Sequence, residues 1–416
     1  MLEAHPWRIL IETLIKSGIL IGGLVTAAAY LVLVERWIAA WVQDRLGPNR
    51  VGIPLTKIRL FGLGQPIADG VKFLTKEEFT PAHVDRWLYF VAPITMLVAA
   101  MAVFAVVPFG NVDFGIEGLR NVALVVAGYV DVDIVYIFAV GSIAVYGVVL
   151  GGWASNNKYS LFGGLRSGAQ LISYEIPIGL GILGVVLVSG SLRLETIITR
   201  QAETGVWNVF VQPLGLVVFV VASFAEAARL PFDLSECEQE LVGGYHTEYS
   251  GMRLMMYLVA EFIHMVTAAF LIVILYFGGW HFWGLTESGP TAHWPIALLR
   301  VVVLLGKVMA VILFFMLARW SWPRFRFDQL MDVAWKVMLP WGLVNVVVVA
   351  GWLEYEQRIA AVGGKPSALT MAGVGIVALV LCWLVSTVAD PTARRNRSRP
   401  AGSVSSGRET EELTTQ

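Results

Sequence analysis

The sequence predicts an all-α polytopic membrane protein. Of its 416 residues, 57% are hydrophobic and only 15% charged, and the mean hydropathy is +0.69. The apolar residues gather into repeated runs of about 20, the length that spans a hydrocarbon core. A soluble domain carries about a quarter charged residues, so that class is excluded. The runs are long and continuous rather than short and alternating, which fits helices and not barrel strands. The net charge of −1 decides little, because acidic and basic residues are segregated along the chain. The two cysteines, Cys237 and Cys382, form no disulfide framework and lack metal-ligand spacing. The first run, flanked by Glu12 and Lys16, is long enough to span and does not read as a cleavable signal.

Hydropathy predicts nine spans, near 12–34, 88–108, 131–153, 170–190, 209–228, 254–280, 296–318, 336–354 and 368–389. Arginines and lysines concentrate on one side. They include Arg36, Arg45, Lys72 and Arg86 after span one, Lys158 and Arg166, Arg229 and Arg253, Arg319 to Lys336, and the arginines of the tail. By the positive-inside rule the N-terminus is expected outside and the C-terminus in the cytoplasm, as an odd span number requires. Residues 1–389 read as a single membrane domain and 390–416 as a polar, basic, disordered cytoplasmic tail.

Between the spans, Asp44 to Gly52 carries Gly47 and Pro48 where a helix must stop and turn. Gln65 to Glu78 has Ile67, Val71 and Leu74 on one helical face and Asp69, Lys72 and Lys76 on another. It predicts a helix lying in the membrane interface, either a plain anchor or part of a site. Pro93, Pro108, Pro177 and Pro213 interrupt or bound spans, and Glu175 stands two residues before Pro177. A carboxylate beside a kink must face protein or water rather than lipid.

The chain is organised around Phe224 to Gly251, where Glu226, Asp233, Glu236, Glu238, Glu240 and Glu248 crowd one connection, with Glu261 inside the next span. Carboxylates at membrane depth are costly and point to function. Glu236 and Glu240 share a helical face and repel, and Glu226 and Arg229 stand one turn apart, in reach of each other. Proton exchange is one reading of the cluster, a solvated acidic surface is another, and a hard-cation site lacks the expected ligand spacing. His264, one turn beyond Glu261, reads either as part of a polar seam or as a hydrogen-bonded core histidine. The adjacent Glu35 and Arg36 cannot face each other, so each needs its own partner. From Arg319 to Gln329, arginines alternate with aromatics, which suits headgroup anchoring or pairing with the acidic loop. The sequence shows no glycine-rich phosphate loop, iron–sulfur cysteine cluster or haem motif, so this chain alone does not take electrons from a nicotinamide.

Three stretches resemble the H subunit of bacterial respiratory complex I, the NADH-quinone oxidoreductase, and its mitochondrial subunit 1 counterpart. They are GPNRVG (47–52) with QPIADGVKFLTKE (65–77), then PFDLSECEQELVGGYHTEYSG (231–251), and RWSWPRFRFDQLM (319–331). The likeness runs to about residue 355 and leaves the ninth span and the tail beyond an eight-span core. The resemblance implies a multi-pass subunit of a bacterial cell membrane, a translocase component that is not catalytic alone. Such a subunit forms much of a quinone-reduction chamber and couples quinone reduction to proton pumping. It implies Arg36, Arg45, Asp69, Lys72 and Phe232 at the quinone. It further implies a proton relay of Glu35, Glu175, Glu226, Asp233, Glu236, Glu238, Glu240, Glu248 and Glu261, with Arg229 and Arg319 as counter-charges. Quinone is then the substrate, and FMN and iron–sulfur clusters reside in partner subunits of the hydrophilic arm. Neighbouring membrane subunits and lipid complete the partners, with no metal and no nucleic acid. Two departures stand out: IPLTKIRL is inserted at 53–60, lengthening the loop near the chamber mouth, and Gly64 replaces an expected Leu.

Overall fold

Long helices dominate the computed structural model, which describes residues 6–52, 61–113, 122–128, 130–229, 231–233, 242–283, 285–286, 292–361 and 368–389. The predicted insertion at 53–60, Glu236, Glu238 and Glu240, and the tail lie outside the described residues. In order come α1 (Pro6–Val42), α2 (Gln65–Thr75), α3 (Arg86–Ala102), α4 (Asp133–Gly141), α5 (Ile143–Ala154), α6 (Lys158–Ser189) and α7 (Leu194–Thr204). Then follow α8 (Asn208–Val211), α9 (Pro213–Glu226), α10 (Gly251–Tyr276), α11 (Trp294–Ser321), α12 (Phe327–Asp332), α13 (Leu339–Ala361) and α14 (Ala368–Ala389). Among the described residues, 8 helical segments are long and apolar enough to cross a membrane.

The predicted fifth span differs. Pro213 starts α9 as a first-turn proline and Glu226 ends it, giving 14 residues. At 1.5 Å per residue that is about 21 Å, short of a hydrocarbon core of about 30 Å. The third span is also divided, α4 and α5 meeting at Ser142. The eighth is continuous: a π-helical turn at Val333–Met338 joins α12 to α13. Pro93 and Pro177 lie inside α3 and α6.

A small sheet adds what hydropathy did not show. Strands Asn111–Asp113 and Val122–Ala123 pair antiparallel, and the first pairs in parallel with Ala292–His293, so one connection is tied to the start of α11. Strands of two or three residues have no period to read.

Helix α6 is the central post, packing on α5, α9 and α13, while α10 packs on α3 and α11. Asn157 caps α6, its side chain accepting from the Tyr159 amide. Glycine at position 163 is required because a Cβ there would stand 2.6 Å from the Gly244 backbone. That approach seats the turn Gly244–His246 against α6 and α5. Helix α2 leaves Ile67, Val71 and Leu74 exposed on one face, the surface an interfacial helix offers to lipid. Helix α14 is firmly docked: Met371 packs with Val211 and Val349, Ala378 and Cys382 with Leu214, and the Trp341 indole donates to Ser386 Oγ at 2.9 Å.

Candidate functional site

Four charged residues from four parts of the chain meet inside the bundle. Glu35 on α1, Arg229 after α9 and Glu261 on α10 are buried, and Arg319 comes from the last turn of α11. Arg319 Nη1 donates to Glu35 Oε1. Arg229 Nη1 lies 3.7 Å from Glu35 Oε2, and its Nη2 lies 4.0 Å from Glu261 Oε2. The Arg229 guanidinium also covers the Phe262 ring at 4.3 Å. The Tyr245 hydroxyl donates to Glu261 Oε1 at 3.1 Å. Two cations and two anions balance, which is how buried charge is tolerated.

The backbone explains why Arg229 is there. Helix α9 closes with the Arg229 amide donating to the Phe224 carbonyl and the Ala228 amide to the Ala225 carbonyl, a Schellman closure. Ala228 occupies the left-handed position, φ +47°, where glycine is usual. The reversal swings Arg229 away from Glu226. The i, i+3 pair expected from the sequence therefore gives way to Arg229 with Glu35 and Glu261, because the helix ends before Arg229.

Beside this cluster opens a cavity of about 1320 Å³, larger than common small-molecule sites of about 300–1,000 Å³. Arg36, Arg45, Arg319 and Arg324 line it together with Glu35, Asp233 and Glu261, and Leu46, Leu258 and Phe262 add apolar wall. At its rim the exposed Arg36 donates through Nη1 to Asp69 Oδ2 at 2.8 Å, fixing α2 to α1, and within α2 Lys72 Nζ lies 3.7 Å from Asp69 Oδ1. The loop at 44–52 is held by the Trp37 indole donating to the Pro48 carbonyl at 3.1 Å. Arg45 lines the cavity while its Nε donates to Gln43.

A second, narrow cavity of about 70 Å³ has Glu261 in its wall. Glu175, Glu226, Ser142, Tyr245 and His264 line it, and Glu261 and Ala228 line both cavities. Ser142 Oγ, at the α4–α5 break, is 2.5 Å from Glu175 Oε1. Broken helices and carboxylates here face protein interior rather than lipid, as membrane depth demands.

The family model described as NADH dehydrogenase matches residues 15–350. The chain belongs to the NADH dehydrogenase family. Among curated proteins it is similar to an NADH-quinone oxidoreductase H subunit of Geobacter metallireducens, 46% identical over 342 residues, 82% of this chain and 95% of the relative. It is also similar to an NADH-quinone oxidoreductase H subunit of Geobacter sulfurreducens, 44% identical over 338 residues, 81% and 95% of the two chains. "NADH-quinone oxidoreductase subunit 8" of Rhodothermus marinus is 42% identical over 352 residues, 83% and 96% of the two chains. The NADH dehydrogenase match ends at residue 350, so α14 lies beyond it.

In this NADH dehydrogenase family member, other expected site residues stand apart from the cavities. Phe232 is buried, stacked on Phe325 at 5.5 Å and tilted on Tyr174 at 5.8 Å, behind the large cavity's wall. Glu248 accepts from Asn157 Nδ2 at 2.6 Å, and its carbonyl accepts from the Tyr89 hydroxyl at 2.6 Å. It lines neither cavity. Lys72 is exposed and covers the Phe73 ring at 4.7 Å. Ser142, Tyr245 and Arg324 enter the site without having been singled out individually. Arg324 lay within the arginine–aromatic stretch and Tyr245 within the acidic one. Ser142 gave no signal, because a serine in an apolar run is usually a back-bonded helix residue.

Asp233 lies 3.6 Å from Arg324 on the cavity wall. Burial pushes its carboxyl up to about 6, against the opposing pull of Arg319 and Arg324. Above that pH it is charged and paired with Arg324, and below it the pair is lost. Asp233→Asn is expected to remove a step near pH 6 from the pH profile of quinone-reductase activity in the assembled complex. A variant profile that keeps the step would assign it to another group.

Proposed function

We propose that this chain is the membrane subunit of a bacterial NADH-quinone oxidoreductase that forms much of the chamber where quinone is reduced. It couples that reduction to proton translocation. The reading rests on one observation above the others: Glu261 belongs to the walls of both the large cavity and the narrow carboxylate-lined one. The large cavity supplies the chamber. Its arginines suit the carbonyl oxygens of a quinone head, which gather negative charge on reduction, and Leu46, Leu258 and Phe262 suit its apolar parts. Electrons arrive from iron–sulfur clusters and FMN held by partner subunits of the hydrophilic arm. The narrow cavity supplies the start of the proton path, through Glu261, Glu226 and Glu175.

Consistent with the names of its relatives, the chain works as one subunit, beside hydrophilic-arm and membrane-arm partners in the bacterial cell membrane. The cavity rim, α2 and the basic connections face the cytoplasm, with the N-terminus outside and the C-terminus inside. Residues 1–389 form one membrane domain, α14 being an added ninth span on an eight-span core. Arg36 and Asp69 hold the chamber mouth, Lys72 adds positive charge outside it, and Phe232 stiffens its wall. Arg229 and Arg319 act as counter-charges. Glu236, Glu238 and Glu240 are taken as further members of the relay, and Glu248 is held by Asn157.

A photoreactive quinone analogue applied to the assembled complex tests the chamber. Labels are expected on peptides carrying Arg36–Arg50, Leu258–Phe262 or Arg319–Arg324. Labelling confined to other subunits would sink the assignment.

A further inference from the structure

Within the narrow cavity, one titratable group is not accounted for by the carboxylate path. On α10, Glu261, His264, Thr267, Ala268 and Leu271 follow helical spacing and form one wall of that cavity. His264 Nε2 is buried and has no hydrogen-bond partner among the described residues, and the same holds for Ser167 Oγ and Gln170 Oε1 on the facing α6 wall. Orphaned polar atoms are rare in folded proteins and signal a bridging water or a working group. The cavity, about 70 Å³, has room for a few waters, each needing at least roughly 10–15 Å³. Polar atoms from two helices thus line a space suited to a short water chain, together with the carboxylates Glu261, Glu226 and Glu175.

We propose that His264 is a proton-carrying station of this path, between Glu261 on one side and Glu226 and Glu175 on the other. The inference rests on the proton-path reading above and adds a residue to it. A neutral imidazole has one nitrogen free to accept a proton and another that donates. In the forward step an O–H bond breaks at protonated Glu261, or at a bridging water that Glu261 reprotonates. An N–H bond forms at His264 Nε2, leaving the Glu261 carboxylate and an imidazolium. In the second step that N–H bond breaks and the proton passes to the carboxylate of Glu226 or Glu175, restoring neutral His264. The titratable groups that line the cavity together with His264 are Glu261 on its own helix, Glu226 on α9, Glu175 on α6 and the Tyr245 phenol from the turn before α10. Beyond Glu261 stands Arg229, shared with Glu35. Among the described residues, α3, α4 and α5 face this cavity with apolar side chains and Ser142 lies at their junction.

The test compares His264→Asn, His264→Leu and Glu261→Gln in the assembled complex in native membrane vesicles. NADH:quinone turnover and proton extrusion are followed together near neutral pH. His264→Asn keeps polar contacts to water but cannot carry a proton. In fully assembled complex it is expected to lower turnover and proton extrusion together by roughly tenfold. His264→Leu is expected to lower turnover by roughly tenfold or more. Wild-type turnover and proton extrusion in assembled His264→Asn complex overturn the proposal, whether or not the leucine variant assembles. If that happens while Glu261→Gln is impaired, the proton path stands without His264. If Glu261→Gln is also fully active, the proton-path reading itself fails.

Discussion

Replacing Arg229 by methionine is expected to abolish most quinone-dependent turnover and to reduce the amount of assembled complex. Arg229 is the shared counter-ion of Glu35 at 3.7 Å and Glu261 at 4.0 Å, and its side chain is nearly inaccessible. The 4.0 Å contact is ionic rather than hydrogen-bonded, and Nη2 has no closer acceptor among the described residues. Methionine fills similar space yet leaves two buried carboxylates to the single cation Arg319. Removing one partner of a buried charge pair costs about 3–5 kcal/mol. Much of that loss falls on the junction of α1, α9 and α10, since Glu35 and Glu261 tie Arg229 to the two other helices. Arg229→Lys restores the charge but not the planar fork, so partial recovery is expected. Native gels and NADH:quinone activity of membranes check both outcomes. Wild-type abundance and turnover in Arg229→Met would show that the four-charge cluster is not needed.

Much of this site was legible before the structure. Glu35, Glu175, Glu226, Glu261, Arg229 and Arg319 draw notice because charge at membrane depth is rare and costly. Their pairings were not legible. Glu35 and Arg319 are far apart in sequence, and only the packing of α1 beside α11 brings them together. The local rule that pairs Glu226 with Arg229 assumes a continuing helix, and Ala228 in the left-handed region ends that assumption. Spans were readable from continuous apolar runs, whereas the shortness of α9 and the break at Ser142 were not, because hydropathy averages over about 20 residues. Glu35 and Arg36, adjacent on α1, do take separate partners: Arg36 turns outward to Asp69 and Glu35 inward to Arg229 and Arg319. Glu248 looked equivalent to its acidic neighbours in sequence, but the fold commits its carboxylate to Asn157.

Glu261→Gln is expected to have the other large effect. Glutamine keeps the size of the side chain and an oxygen able to accept from Tyr245, so the fold of α10 and the contact at 3.1 Å can persist. It carries no charge for Arg229 and no proton to pass on. Glu261 and Ala228 are the residues found in both cavity walls, and of the two only Glu261 titrates. If reduction of quinone in the large cavity drives protons into the narrow one, the exchange passes through this carboxylate. Positioned acid–base groups contribute roughly 10²–10⁴-fold to rates, so a loss of at least tenfold in coupled turnover is expected. Assembly should be near normal, which separates this variant from Arg229→Met.

The most direct measurement records NADH oxidation and proton extrusion simultaneously in vesicles carrying the assembled Glu261→Gln complex. If protons pass through Glu261, quinone reduction and proton extrusion fall together, by at least about tenfold. Wild-type rates of both, in fully assembled complex, would contradict it.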